Sequence, residues 1–152
     1  MIGTGYVGLV SGACFADLGN NVWCVDKNIK KINLLKNNKI PIFEPGLQEV
    51  VLKNHLSGRL KFTNDLKTAV INSDIIFICV GTPTLKNSGS ADLKFVFQAA
   101  KEIRKNINKF KIIVTKSTVP ITTGDKIESL IAKKKKINEL NLNILKLKKL
   151  KK

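Results

Sequence analysis

Histidine occurs once, at His55, and cysteine three times, at Cys14, Cys24 and Cys79, with no CxxC pair among them. An odd, scattered set of this kind excludes a disulfide framework and offers no ligand set for zinc, so no metal site is expected. Each cysteine lies in an apolar segment and reads as a small buried hydrophobe. Long apolar runs are missing too. The stretch from Ile75 to Val80 is far too short to cross a bilayer. Met1 and Ile2 lead straight into a glycine loop, without the charged n-region and cleavage site of a secretory signal, and the expected location is the cytoplasm. Internal repeats are absent.

Acidic residues are also scarce, 11 against 27 Lys and Arg, for a net charge of +16 over 152 residues. That balance suggests a nucleic-acid or membrane-surface binder until its distribution is read. Residues 133–152 hold nine lysines and one acid, so this segment carries +8 and the other 132 residues carry the remaining +8 without an obvious stripe. Half of the charge thus belongs to a tail, and neither nucleic acid nor membrane is expected as a partner of the folded part. Two units follow: a domain over 1–132 and a lysine-rich, low-complexity tail over 133–152. A basic amphipathic helix with Ile137, Leu140, Ile144 and Leu147 on one face is the alternative for the tail.

What the chain does contain is alternation. Asn21–Asp26, Leu60–Thr63, Asp74–Val80 and Lys111–Thr115 are apolar almost throughout, as parallel strands covered on both faces are. Between them, Leu93, Val96, Phe97, Ala100, Ile103 and Ile107 recur at three- and four-residue steps and form a helical face. A second such face, Ile127, Leu130 and Ile131, follows Gly124. The pattern is that of an α/β protein with a Rossmann-type, doubly wound parallel sheet. The sheet is expected to be incomplete. Only Met1 and Ile2 stand where a full first strand would precede the glycine loop, and no sixth strand is legible near the C-terminus.

Gly3, Gly5 and Gly8 stand in the G-x-G-x-x-G spacing. The first permits a tight turn after the strand, the second lets backbone approach a pyrophosphate, and the third lets the helix pack closely. The helix N-terminus then offers N–H groups and its dipole to phosphate. Any glycine-rich turn can mimic this motif, so its context matters. A helical stretch from Leu9 to Leu18, the turn Gly19-Asn20 and the strand NVWCVD follow in order. Asp26 ends that strand eighteen residues past Gly8, near the spacing of an acid that hydrogen-bonds the adenosine ribose. A carboxylate there repels a 2′-phosphate and favours NAD over NADP, although Lys27, Lys30 and Lys31 nearby could offset it. A solvent-facing strand end is the plainer reading of Asp26. Gly81-Thr82-Pro83-Thr84 and Lys116-Ser117-Thr118 follow the next two strands, at the edge where such sheets bind ligands. The Thr118 hydroxyl could serve a substrate or water, or simply cap a turn.

Five strings in order resemble the UDP-glucose/GDP-mannose dehydrogenase family, its UDP-glucose 6-dehydrogenases in particular: GTGYVGLVSGACFADLGNNVWCVD (Gly3–Asp26), IPIFEPGL (Ile40–Leu47), ICVGTPT (Ile78–Thr84), GSADL (Gly89–Leu93) and KSTVPITTGDKIE (Lys116–Glu128). The resemblance implies an NAD-dependent oxidoreductase that converts UDP-glucose to UDP-glucuronate with two NAD. It assigns Gly3, Gly5, Tyr6, Val7 and Gly8 to the pyrophosphate loop. Asp26 and Lys31 go to the adenosine ribose and Thr82 to the nicotinamide side. Thr118 joins the cofactor contacts and matches the threonine that helps position the catalytic water. Glu44 and Pro45 belong to a signature loop read as structural.

The same resemblance shows what is lacking. The family's nucleophilic cysteine lies in a glycine-rich motif of its second half, where it forms a thiohemiacetal and a thioester. Cys14, in GACFAD, echoes that motif but falls in the helix after the phosphate loop and is expected to pack inward. The family's NPEF glutamate, its substrate lysine, its dimer-forming helix and its UDP-binding domain have no counterpart here. The family is homo-oligomeric and takes UDP-glucose in its full-length form. This chain reads as its cofactor-binding portion, truncated at both ends and inactive alone. The alternatives are a non-functional truncated gene product or a basic binder acting through the tail.

Overall fold

The computed structural model describes residues 1–87, 89–132 and 144–146. Strands form where the apolar runs predict them: β1 (Val22–Val25), β2 (Leu60–Thr63), β3 (Ile75–Ile78) and β4 (Ile112–Thr115). β1 pairs in parallel with β2, and β3 with β4. Between β1 and β3 lies the segment Met1–Gly3. Ile2 bridges in parallel to both Val25 and Ile78. The Ile2 N–H donates to the Phe77 carbonyl at 2.8 Å, the Gly3 N–H to the Val25 carbonyl at 2.7 Å, and the Cys79 N–H to the Ile2 carbonyl at 2.8 Å. Met1–Gly3 is therefore a seam that joins the two flanks of the sheet.

The expectation that a sixth strand is missing is corrected by β5 (Ile144–Lys146), which pairs in parallel with β4, Ile113 opposite Ile144. The order β2–β1–seam–β3–β4–β5 thus follows the 3-2-1-4-5-6 pattern of a dinucleotide-binding sheet, with the first strand reduced to bridges. Position 144 is a strand residue, against the alternative of a helix face through Ile144. A run of three apolar and long-chain residues in a Lys/Leu/Ile/Asn background fits either period, so pattern alone could not decide. The rest of the expected tail, 133–143 and 147–152, lies outside the described residues.

Among the described residues six helices connect the strands: α1 (Tyr6–Asp17), α2 (Ile29–Lys36), α3 (Leu47–Leu56), α4 (Leu66–Ile71), α5 (Lys94–Asn106) and α6 (Thr123–Ala132). Local chemistry sets where the short ones begin. The Asn28 side chain accepts from the Lys31 N–H at 3.1 Å and starts α2, and Asp65 accepts from the Thr68 N–H at 3.2 Å and starts α4. None is long and apolar enough to cross a membrane.

Side chains in register across parallel strands share a face. Ile2, Val25 and Ile78 therefore point one way, while Cys24 and Phe62 point the other. On the Cys24 side, α1, α2 and α3 bury Leu9, Ala13, Ala16, Ile32, Leu35 and Val51 against Val22, Leu60 and Phe62. On the Ile2 side, α4, α5 and α6 bury Val70, Val96, Ala100, Ile103, Ile127 and Ile131 against Ile76, Ile78 and Ile113. Because all strands run parallel, their carboxyl ends meet along one edge. The loops after the seam, β1, β3 and β4 gather there.

Candidate cofactor site

The glycine loop is shaped by contacts that exclude side chains. Gly3 has φ +102°, and a Cβ on it would stand 2.7 Å from the Cys79 carbonyl oxygen. A Cβ on Gly8 would come within 1.9 Å of the Gly3 carbonyl oxygen, so only glycine lets α1 close on the loop. Gly5 differs from both. A Cβ there would meet nothing within 4 Å, which leaves open space against its backbone. Gly5 is also the N-cap of α1 and provides no side-chain cap. The Leu9 N–H bonded to the Gly5 carbonyl at 2.9 Å is the helix's first internal bond. The amides of Tyr6, Val7 and Gly8 precede it and are the ones a helix leaves for an anion. Open space beside Gly5 and unspent amides fit a pyrophosphate.

Asp26 lies just past β1 and is tied to this loop. Its Oδ2 accepts from the Thr4 N–H at 3.0 Å and the Thr4 hydroxyl at 2.7 Å. The Lys31 ammonium, from α2, stands 3.3 Å from the same oxygen. Oδ1 accepts from the Asn28 N–H at 3.0 Å. Burial is the largest single influence on this carboxyl and pushes its pKa up. The Asn28 and Thr4 amides, the Thr4 hydroxyl and the Lys31 charge together outweigh it and hold the group below its ordinary value. Asp26 is therefore ionised at neutral pH, half-buried rather than a bare solvent-facing strand end. Lys31, assigned to the ribose, stands beside Asp26 and pairs with it.

Tyr6 projects outward and its hydroxyl donates to Glu44 Oε2 at 2.5 Å, joining α1 to the loop that precedes α3. Glu44, read as structural, thus has a partner in the phosphate loop. Val7 is exposed beside Tyr6. Across the edge, the Thr82 hydroxyl donates to the Thr118 carbonyl at 3.1 Å, bringing the loops after β3 and β4 together. Ser117 adds to that contact by donating to the Val80 carbonyl at 2.7 Å. Thr4 and Asn28, which hold Asp26, were missed by sequence reasoning. Only Asn28 carried a signal, as an N-cap residue three before Lys31.

The cysteines divide. Cys24 and Cys79 are buried as expected, and burial pushes both thiols up to about 11. Cys14, expected to pack inward, is exposed. The inward stripe of α1 runs through Leu9, Gly12, Ala13 and Ala16, and one further residue of helix turns Cys14 about 100° away from Ala13.

The family model for the NAD binding domain of the UDP-glucose/GDP-mannose dehydrogenase family matches residues 1–147. A UDP-glucose 6-dehydrogenase of Rhizobium meliloti (strain 1021) is 60% identical over 131 residues, which is 86% of this chain and 30% of that protein. The UDP-glucose 6-dehydrogenase TuaD of Bacillus subtilis (strain 168) is 55% identical over 136 residues, 90% of this chain and 29% of that protein. Among solved structures, a UDP-glucose dehydrogenase from the archaeon Pyrobaculum islandicum superposes with a TM-score of 0.84 at 34% identity, over 95% of this chain and 33% of that one. A GDP-mannose dehydrogenase from Pseudomonas aeruginosa gives a TM-score of 0.81 at 39% identity, over 86% and 30%. The chain spans about 30% of the length of the curated relatives it matches. With the family model matched over residues 1–147 and relatives of 55–60% identity, the chain belongs to the UDP-glucose/GDP-mannose dehydrogenase family and is its NAD-binding domain.

Proposed function

We propose that this chain is the cofactor-binding part of a UDP-glucose 6-dehydrogenase, working in the cytoplasm, and that alone it does not oxidise the sugar. The observation that carries the reading is the ionised Asp26 carboxylate fixed beside a glycine loop whose central Gly5 is open. NAD, when bound, accepts the hydride in this chemistry. The chain's own residues then divide the work of holding it. The Tyr6, Val7 and Gly8 amides take the pyrophosphate charge, Asp26 accepts from the adenosine ribose, and Lys31 stands beside it. Thr82 and Thr118, joined by a hydrogen bond, are assigned to the nicotinamide end, and Thr118 to orienting a water.

The second half of the reaction needs a thiolate to trap the aldehyde. Cys24 and Cys79 are buried with thiols near 11, and Cys14 lies on the outer side of α1. None is poised as that nucleophile. Sugar positioning, which can lower a barrier by about 7–11 kcal/mol, falls to the part of the family enzyme that this chain does not span, as does homo-oligomer formation. Titration of NAD against wild type and Asp26→Ala tests the cofactor assignment. The expected loss is about 1.5–3 kcal/mol for a hydrogen bond to a charged acceptor, with NAD bound more tightly than NADP by the wild type. Equal affinities in the two proteins would overturn it. Incubated with UDP-glucose and NAD, the purified chain is expected to form no NADH above background.

A further inference from the structure

The residue between the first two glycines of such a loop is left unspecified by the motif. Here it is Thr4, fully buried and bonded twice to one carboxylate oxygen. A carboxylate oxygen has room for about two strong hydrogen bonds. Asp26 Oδ2 already receives the Thr4 amide, the Thr4 hydroxyl and the Lys31 ammonium. Oδ1 receives the Asn28 amide alone among the described residues, so its remaining acceptor capacity is what Asp26 can offer a ligand. We infer that Thr4 is a positioning residue for cofactor choice: by saturating Oδ2 it fixes the Asp26 carboxylate and leaves Oδ1 to take the ribose hydroxyl. The inference rests on the proposed role of Asp26 at the adenosine ribose.

The physical logic is one of preorganisation. A free aspartate must lose side-chain rotation when it binds a diol. Here the loop has already imposed one orientation. The fixed negative charge also faces any 2′-phosphate squarely, so Thr4 sharpens the preference for NAD without touching the nucleotide. The hydroxyl also helps keep Asp26 ionised, beside the Asn28 and Thr4 amides and Lys31.

Thr4→Val removes the hydroxyl while keeping the branched shape and the backbone N–H. Thr4→Ser keeps the hydroxyl and loses a methyl group. Three quantities are read on the whole chain: NAD affinity, the NAD-to-NADP affinity ratio, and the Asp26 carboxyl pKa of the ligand-free protein by NMR. Thr4→Val is expected to bind NAD about three- to tenfold more weakly, with a smaller NAD-to-NADP ratio and a raised Asp26 pKa. Thr4→Ser is expected to stay within about twofold of wild type on all three. Wild-type affinity in Thr4→Val, or equal weakening in Val and Ser, overturns the inference. Asp26→Ala, run in parallel, separates the two levels. If it too leaves NAD affinity unchanged, the ribose reading has failed and the inference falls with it. If it weakens NAD while Thr4→Val does not, only the positioning role has failed. Should Thr4→Val not fold, Thr4→Ala makes the same comparison with Thr4→Ser.

Discussion

The two faces of the sheet are held by different chemistry. Beneath α4, α5 and α6 the buried residues are almost all isoleucine, valine and alanine. Beneath α1, α2 and α3 a similar aliphatic core is overlaid with directed polar ties. Asn54 is fully buried on α3, where its amide donates to Asp17 at 3.0 Å and to the Val50 carbonyl at 2.8 Å. Its oxygen accepts from Arg59 at 3.1 Å, and Lys53 pairs with Asp17 at 2.8 Å. Asp17 ends α1, the helix whose other end carries the glycine loop. Apolar packing is non-directional and tolerates small shifts, whereas a satisfied buried network fixes one geometry. The face that presents the phosphate loop is the face with the network.

That contrast can be broken from the apolar side. Ile113→Ala removes a fully buried side chain from the α4–α6 core and should cost about 2–5 kcal/mol of stability. Urea unfolding followed by the single tryptophan, Trp23, would read it. NAD affinity per folded molecule should be unchanged. A loss of affinity in the folded protein would mean that the two faces are not separable. On the polar side, Asn54→Ala leaves Asp17, Arg59 and the Val50 carbonyl short of partners, at a cost of about 1–3 kcal/mol. Here NAD affinity should fall as well, because α1 loses its anchor. Stability lost with affinity intact would argue against the network as an orienting device.

The aliphatic face also buries Lys111, Thr115 and Thr123, and Thr115 gives a prediction of opposite sign. Thr115 at the end of β4 is buried, and its hydroxyl has no partner among the described residues. Thr115→Val keeps the shape and removes the orphan, so it should stabilise the chain by about 1 kcal/mol. A destabilised variant would show that the hydroxyl is satisfied after all.

The smallest effect lies at the Tyr6–Glu44 contact, and the chain's single tyrosine makes it readable by phenolate absorbance. The hydrogen bond to Glu44, then burial, then the Glu44 charge raise the Tyr6 pKa above its ordinary 10.0. The folded state thus prefers the neutral phenol. Its contribution to stability is complete below pH 10 and is lost as the pH rises through the folded value. Glu44→Gln should move the titration back towards 10. An unmoved curve would place Tyr6 away from Glu44 in solution.

Much of this was legible in the sequence because the strands are dense apolar runs and the glycines have hard steric reasons to be where they are. The face of α5 was legible through its spaced Val96, Ala100 and Ile103. The face of Cys14 was not. α1 is apolar nearly all round, from Val7 and Val10 to Phe15, so no polar side marks the outside. β5 was hidden for a related reason, since lysine and leucine alternate in a segment that suits helix and strand alike. At the site, Asp26 could be found by its distance from Gly8. The Thr4 hydroxyl could not, because its partner is 22 residues away and only the parallel pairing of the seam with β1 brings them together.

The seam also has a consequence for the order in which the structure opens. Its two sides differ in reach: Ile2 bridges to Val25 nearby and to Ile78, half the chain away. The β1–β2 flank and the β3–β4 flank can each form from neighbouring segments, but the latch between them closes only once both exist, after a long loop closure. The Val25 and Cys79 amides donate across it to the Met1 and Ile2 carbonyls at 2.9 and 2.8 Å. In hydrogen exchange these two amides should lose protection together, as one cooperative unit, ahead of the strand interiors on either side.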